Sequence, residues 1–581
     1  MGRARGRVAL TAARWCYLGG DTARRLAWER RLGPGTAWQS IAEPLEDAAR
    51  RLREPFLAMV ADLAERNDGL LWWSSGLANK NPYTAALFLR CCFLALAHDR
   101  AQDEGLRFVV ESRALRRALQ GLVGGARVRA AAPSRPHASL AAWRWTMRRH
   151  LRRRAALRRA GVRGAPAVGG ADSVLFVTWV DERNVAAEGR YHDPYFGDAL
   201  PARLQRRGTR VAYLAHVLAG VDFTRMVARL HRTRETFVFP EALLRPSDVL
   251  HAVVAAARHR PRLSTELRLG GMDVGPLVRE QIADDRAALP ADSLHATLAR
   301  RLHESGVVPG SVVHMQEGHP WERAFALGAR TAGLPSRLVG YNTGTFSPML
   351  LCMYPDPREL ARMPLPDRIV TNGPCLREAL LGAGYPAARV VPGADLRRAH
   401  LWNGTPSASR GSGDAVVLVA TEVDTSRSIE LVDKAIRAVA GLAGHRVIVR
   451  CHPLVDPSRI RAALGVRAEA PNVEFSARPL AALLDDADAL LYTQTAVCFE
   501  ALRHGVAPIF VRSEGALNLD PLTHAPECRA VATTPDDIRA AVHRARTRSP
   551  GERARWYDSA QRVLAHHLAP ADDAVLDAFL A

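Results

Sequence analysis

The sequence predicts an α/β protein: two parallel-sheet domains in tandem behind an α-helical N-terminal region. Three observations carry that expectation. From Ser173 to Val531, short apolar runs of strand length alternate with amphipathic helical segments. Before about residue 170 that alternation is missing and long helical patterns dominate. A polar, Gly/Ser-rich stretch, Asp395–Gly413, divides the alternating region into two sets.

Composition narrows the class. A chain of 581 residues, 48% of them hydrophobic, has the length of about three or four domains and the material for large cores. The net charge of +21, carried mainly by Arg, favours anionic partners such as nucleotides, nucleic acid or an anionic membrane surface. The eight Cys include no CxxC pair and sit in apolar segments, as buried thiols of a reducing compartment do. The early apolar stretch Val8–Gly20 is interrupted by Arg14 and does not read as a secretory signal. Ala85–Ala97 contains Arg90 and is too short to span a bilayer. The expected location is cytoplasmic, peripheral on the inner face of the cytoplasmic membrane.

Residues 1–170 read as the helical region, with Leu45–Arg66 and Gly105–Leu122 as examples. Within it, Trp72-Trp73 of Leu70–Pro82 reads either as a core plug between helices or as a recognition loop. Trp143–Arg159, WRWTMRRHLRRRAALRR, reads as a membrane-surface helix or as a solvated basic linker, with Gly161–Gly170 as a boundary. Residues 171–395 form the first α/β set. It opens with strand Ser173–Trp179, helix Gly197–Arg207 and strand Val211–His216, and continues through strands Ser311–Gln316, Arg337–Tyr341, Arg368–Thr371 and Arg389–Val391. Residues 414–535 form the second, with strands Ala415–Ala420, Arg446–Arg450, Val473–Ser476, Ala489–Tyr492 and Val506–Val511. Residues 536–581 read as a helical tail.

The chemistry-bearing residues fall at strand ends, where open parallel sheets bind ligands. After strand Ala489–Tyr492 come Thr493, Gln494 and Thr495, then helix Ala496–His504. Hydroxyls and free N–H groups at a helix start suit a phosphate, and Glu500, one turn further in, is placed to reach a ribose. Simple helix capping by the threonines is the competing reading. Arg450-Cys451-His452-Pro453 follows another strand of the same set, and His452 there can donate to a departing phosphate oxygen. In the first set, Gln316-Glu317-Gly318-His319 follows the strand run Ser311–Met315. Glu317 is placed to take a proton from an attacking hydroxyl, with His319 as the rival base. Tyr341 and Asn342, in the strand-end loop Gly340–Gly344, are candidates for the acceptor side. No metal ligand is expected.

Five segments carry a resemblance: YFGDAL (Tyr195–Leu200), QEGHPWERAF (Gln316–Phe325), RIVTNGPCLREALLGAGYP (Arg368–Pro386), RCHP (Arg450–Pro453) and TQTAVCFEALRHGVAP (Thr493–Pro508). Together they resemble bacterial surface-carbohydrate (capsule or O-antigen) glycosyltransferases of the GT-B fold, in which two Rossmann-like domains face each other across a cleft. An acidic residue with Gly, then His-Pro, then Thr-x-Thr is similar to sialyltransferase- and Kdo-transferase-type enzymes. The resemblance implies Glu317 as general base, His452 at the nucleotide and leaving phosphate, and Thr493 with Thr495 holding that phosphate; Arg450, Gln494 and Glu500, in the same loops and helix, are further candidates around the nucleotide. It also implies a nucleotide-sugar donor, CMP-linked rather than UDP-linked, with no cofactor. The expected acceptor is a surface glycan or a lipid-linked acceptor.

The sequence departs from these families at Gln316, where a second carboxylate is usual, and at Asn342-Thr343. Tyr492 stands where many retaining enzymes have a second Glu, which points to inversion. Two alternatives stay open: a polyol-phosphate transferase of teichoic-acid type, and a non-catalytic glycan- or nucleic-acid-binding protein. No nucleic-acid motif is recognisable, so no nucleic-acid partner is expected.

Overall fold

Two doubly wound parallel sheets form the bulk of the computed structural model, which describes residues 14–33, 35–131, 139–186, 188–344, 347–402 and 413–579. The first sheet has seven strands. From edge to edge they are Val390–Pro392, Arg368–Thr371, Arg337–Tyr341, Val308–Met315, Gly169–Val180, Arg210–Val217 and Thr236–Val238, all parallel. The second has six: Val473–Phe475, His445–Arg450, Ala415–Ala420, Ala489–Tyr492, Ala507–Val511 and Ala530–Ala532. Counted along its own chain segment, each sheet runs 3-2-1-4-5-6, with a seventh strand extending the first. This is the dinucleotide-fold order. The central strands are apolar on both sides, as Val174, Leu175, Phe176 and Val177 show by being buried without alternation.

The order reverses between the first and fourth strands of each sheet. In the first domain these are Gly169–Val180 and Val308–Met315; in the second, Ala415–Ala420 and Ala489–Tyr492. A crevice therefore opens at the carboxyl ends of those strands, and residues from both crevices line a single cleft.

The N-terminal region is rich in helix, but it is not free of strands. It contains a four-stranded parallel sheet, ordered Ala37–Trp38, Arg14–Leu18, Leu106–Val110, Val128–Ala130. The expected helix over Gly105–Leu122 divides into strand Leu106–Val110 and helix Arg113–Val123, because the Ser112 hydroxyl accepts the Leu115 N–H at 3.0 Å and starts the helix there. The early apolar run contains the buried strand Arg14–Leu18, while residues 8–13 of it lie outside the described residues. Trp72 and Trp73 are buried in the core, at 2% and 1% exposure, which decides for the plug.

Two further expectations change. Trp143–Arg159 belongs to helix Ser139–Arg159, and it is not a detached linker. Its inner face docks on the first domain through buried Leu157, the Arg153–Glu241 ion pair and a Trp143 indole bond to the Arg286 carbonyl at 2.7 Å. The stretch Asp395–Gly413 begins as packed structure, with Asp395 buried and paired to Arg398; its residues 403–412 lie outside the described residues.

The C-terminal segment crosses the molecule. Helix Pro535–Arg546 packs on the second domain, and helix Pro550–His567 runs back to helix Pro374–Gly382 of the first. Phe579 then inserts into the first domain's core against Tyr341. Gly373 marks the crossing, since a Cβ there would sit 2.2 Å from the His567 carbonyl oxygen.

Candidate active site

The QEGHP turn is built by its own residues. Gly318 adopts φ +77°, and a Cβ at that position would meet Cys352 Sγ at 2.6 Å. The turn lets the Glu317 and Gly318 N–H groups both donate to the buried carboxylate of Glu322 at 2.9 Å. His319 is the N-cap of helix Pro320–Thr331 but makes no side-chain cap bond, so its ring is free for the cleft. Glu317 accepts the Thr343 hydroxyl and faces His319 Nε2 at 3.7 Å, too long for a direct hydrogen bond but close enough for an ion pair. Their side chains keep 26% and 32% exposure, respectively.

The opposite wall comes from the second domain. The His452 N–H donates to the Thr421 hydroxyl at 2.9 Å, which ties the RCHP loop to the end of strand Ala415–Ala420. His452 Nδ1 accepts the Leu454 N–H at 3.2 Å, so the neutral ring carries its proton on Nε2. Glu422 accepts the Thr493 hydroxyl at 2.7 Å and pairs with Arg427 at 3.3 Å. Arg427 in turn donates to the Gln494 side-chain oxygen at 2.8 Å, and the Gln494 amide donates to the Tyr83 hydroxyl.

The two walls enclose a cavity of about 640 Å³. Its electrostatics favour an anion. Burial pushes the Glu317 carboxyl up, but the His319 cation, the Thr343 hydroxyl and Arg397 hold it at about 2. Burial pushes His319 down, while Glu317, Glu322 and Asp292 raise it to about 9. Burial, aided by the charges of Arg183 and Arg397, lowers His452 to about 4. Burial raises Glu422 to about 7 against the pull of Arg427 and Thr493, and raises Glu500 against Arg398 and His400. At neutral pH, Arg183, Arg397 and Arg398 line the cavity as cations, together with protonated His319.

Of the residues singled out from sequence, Glu317, His319, His452, Gln494, Thr495 and Glu500 line this one cavity. Four do not. Tyr341 is fully buried, its hydroxyl donating to the Ala394 carbonyl and accepting the Leu396 N–H. Asn342 is scaffold, donating to the Gln316 carbonyl at 2.7 Å and accepting the Gly344 N–H. The Thr493 hydroxyl is committed to Glu422. Arg450 is absent from the lining among the described residues. Helix Val497–Arg503 has only seven residues, so its dipole is a minor contribution beside the arginines.

Sequence reasoning missed Asn81, Tyr83, Arg183, Arg397, Arg398 and Glu422. Arg183 and Glu422 had a signal, since each closely follows the first strand of its sheet, at the order reversal. Tyr83 had none, because it arrives from the N-terminal region; Asn81 lies within Leu70–Pro82, the stretch with a recognition-loop reading, and does reach the cavity. Asn81 donates to the Gly318 carbonyl at 3.1 Å, and the Tyr83 ring lies 5.5 Å from the Arg427 guanidinium.

No family model matches the chain, and no curated protein matches it. Among solved structures it is similar to the glycosyltransferase of kitacinnamycin: 18% identity, 72% of this chain, 100% of that one, TM-score 0.43. It is also similar to S. aureus MnaA in a UDP co-structure, with 11% identity over 70% of this chain and 94% of the other at TM-score 0.41. A third is a glycosyltransferase from Rickettsia africae, with 10% identity over 70% and 95% at TM-score 0.39. The fold class rests on the chain's own strand order: two dinucleotide-type domains facing across a cleft, the GT-B architecture.

Proposed function

We propose that the chain is an inverting glycosyltransferase that moves a sugar from a nucleotide-activated donor to a hydroxyl of a bacterial surface glycan or lipid-linked acceptor. One observation carries the reading. The order reversals of both sheets open on the same cavity, with the Glu317–His319 pair on one wall and His452, Thr495 and Glu500 on the other. In the proposed step the acceptor oxygen attacks the anomeric carbon, and the bond from that carbon to the phosphate oxygen breaks. The electron pair leaves on the phosphate, which receives a hydrogen bond from His452 Nε2 and the charge of Arg183 and Arg397. The acceptor proton passes to Glu317.

A carboxylate held at about 2 is a weak base while His319 pairs with it. An anionic donor changes that, because drawing the His319 charge toward itself leaves Glu317 more basic. A CMP-linked nine-carbon or Kdo-type acid carries both a phosphate and a carboxylate. Its total charge is about that of a UDP-sugar's diphosphate, but its carboxylate sits on the anomeric carbon itself, where it can meet His319 and Arg397 on the Glu317 wall. Neither a metal nor a cofactor is part of the proposed reaction.

The deciding experiment incubates the protein with CMP-linked acids, UDP-sugars and CDP-polyols and reads released nucleotide by mass spectrometry. Glu317→Gln is expected to lower transfer by roughly a hundredfold or more while nucleotide-induced thermal shifts persist. If that variant keeps most of its rate and His319→Ala abolishes it, His319 is the base. Turnover of CDP-polyols alone assigns a polyol-phosphate transferase. Strongly salt-dependent DNA binding with no turnover assigns a binding protein.

The proposed location is cytoplasmic, at the inner membrane face, through the outer side of helix Ser139–Arg159. Arg144, Trp145, Arg148, Leu151 and Arg152 are exposed there, and no described helix is long and apolar enough to cross a membrane. A triple Arg144, Arg148, Arg152→Glu variant is expected to lose binding to anionic vesicles and to keep turnover of a water-soluble acceptor. Unchanged vesicle binding removes this contact.

A further inference from the structure

Away from the cleft, the crossing helix and the first domain meet through a set of soft ligands. Cys375 is the second residue of helix Pro374–Gly382, and His566 and His567 end helix Pro550–His567. The thiol and one ring nitrogen of each histidine lie within 4.8 Å of one another. His567 Nδ1 donates to the Val563 carbonyl at 2.8 Å, so its lone pair is on Nε2, which faces the Cys375 thiol at 3.5 Å. That separation is the S–N edge of a tetrahedron built from Zn–S and Zn–N bonds of about 2.3 and 2.0–2.1 Å, which comes to roughly 3.5 Å. Glu378, on the same helix as Cys375, pairs with His566 Nε2 at 3.0 Å, the kind of carboxylate partner that metal-bound histidines commonly have.

We propose that Cys375, His566 and His567 bind a thiophilic divalent cation, Zn²⁺ by preference, at the junction of the crossing helix with the first domain. The ligand set of one thiolate and two imidazoles selects against Mg²⁺ and Ca²⁺, which take oxygen. Binding displaces the thiol proton to solvent and forms the S–Zn bond, with no change of oxidation state. The cation has a structural role here, joining residues nearly two hundred positions apart. It is independent of the reaction proposed for the cleft.

The test titrates the reduced full-length protein with Co²⁺ and then with Zn²⁺. One equivalent of Co²⁺ is expected to give a thiolate-to-cobalt charge-transfer band that Zn²⁺ abolishes, and Zn²⁺ is expected to raise the melting temperature. Cys375→Ser should remove the band. His566→Ala changes a half-exposed ring and so leaves the fold intact; it should weaken Zn²⁺ binding at least tenfold. No band in the unaltered protein, a band that survives Cys375→Ser, or unchanged Zn²⁺ affinity in His566→Ala overturns the proposal. In the last two outcomes other thiols or surface histidines hold the metal, and the 3.5 Å contact is a thiol–imidazole hydrogen bond.

Discussion

Glu317 and His319 act as one titrating unit, and the signs of their shifts define its working range. His319 is raised from 6.5 to about 9, so its contribution to stability is full below pH 6.5 and lost as pH rises through about 9. Glu317 is depressed from 4.5 to about 2, so its contribution is present above pH 4.5 and lost as pH falls through about 2. The pair is therefore intact across the neutral range. His452 behaves oppositely to His319: held at about 4, it stabilises the fold above pH 6.5, and that contribution is lost as pH falls through about 4. A nucleotide phosphate would neutralise the guanidiniums that help depress it. By NMR, the His452 ring is expected to titrate near 4 in the free protein and to move upward when CMP binds. A ring that titrates near 6.5 in both states shows that neither burial nor the arginine field acts on it.

At the scale of elements, one contact joins domains through a helix end. Helix Ala42–Arg66 begins at Ile41, which has no capping side chain. Glu514, from the second domain, supplies the missing acceptor, taking the Ile41 and Ala42 N–H groups at 2.8 and 3.1 Å while Lys434 pairs with it at 3.4 Å. Glu514→Ala removes the cap and leaves a buried ammonium with one carboxylate fewer. A loss of about 1–3 kcal/mol in urea unfolding is expected. A change within a few tenths would show that the cap is replaced by water.

The same scale explains what was legible in the sequence. The five strands expected in the second domain announce themselves because buried parallel strands are short, continuous apolar runs between helices. Glu317, His452 and Thr495 were readable because they stand at the ends of such runs. The N-terminal strands were not. Arg14–Leu18 looked like a broken apolar stretch, and the apolar residues of Leu106–Val110 merged with the helical period that follows Ser112. Tyr83 and Arg397 reach the cavity by long-range packing, which no local pattern encodes.

At the scale of the whole molecule, the N-terminal region touches both lobes. Lys80, in a left-handed conformation at φ 62°, is buried against Glu359 of the first domain at 2.6 Å, and Glu359 also faces Arg323 at 3.6 Å. Tyr83 meets Gln494 of the second domain, and Glu514 holds Ile41. Small-angle scattering is expected to show no compaction when CMP is added. Lys80→Met leaves Glu359 to Arg323 alone and is expected to cost about 3 kcal/mol, the low end for a broken buried pair, while admitting such compaction. Compaction of the unaltered protein on adding CMP would mean that these contacts yield.

A third unit fastened to both halves makes this cleft a gauge with a set opening rather than a pair of jaws. Selection would then fall on what fits between Tyr83 and the QEGHP turn, before any chemistry begins. Replacing the Tyr83 ring with a smaller side chain would widen the range of molecules the cleft admits without altering Glu317 or His452.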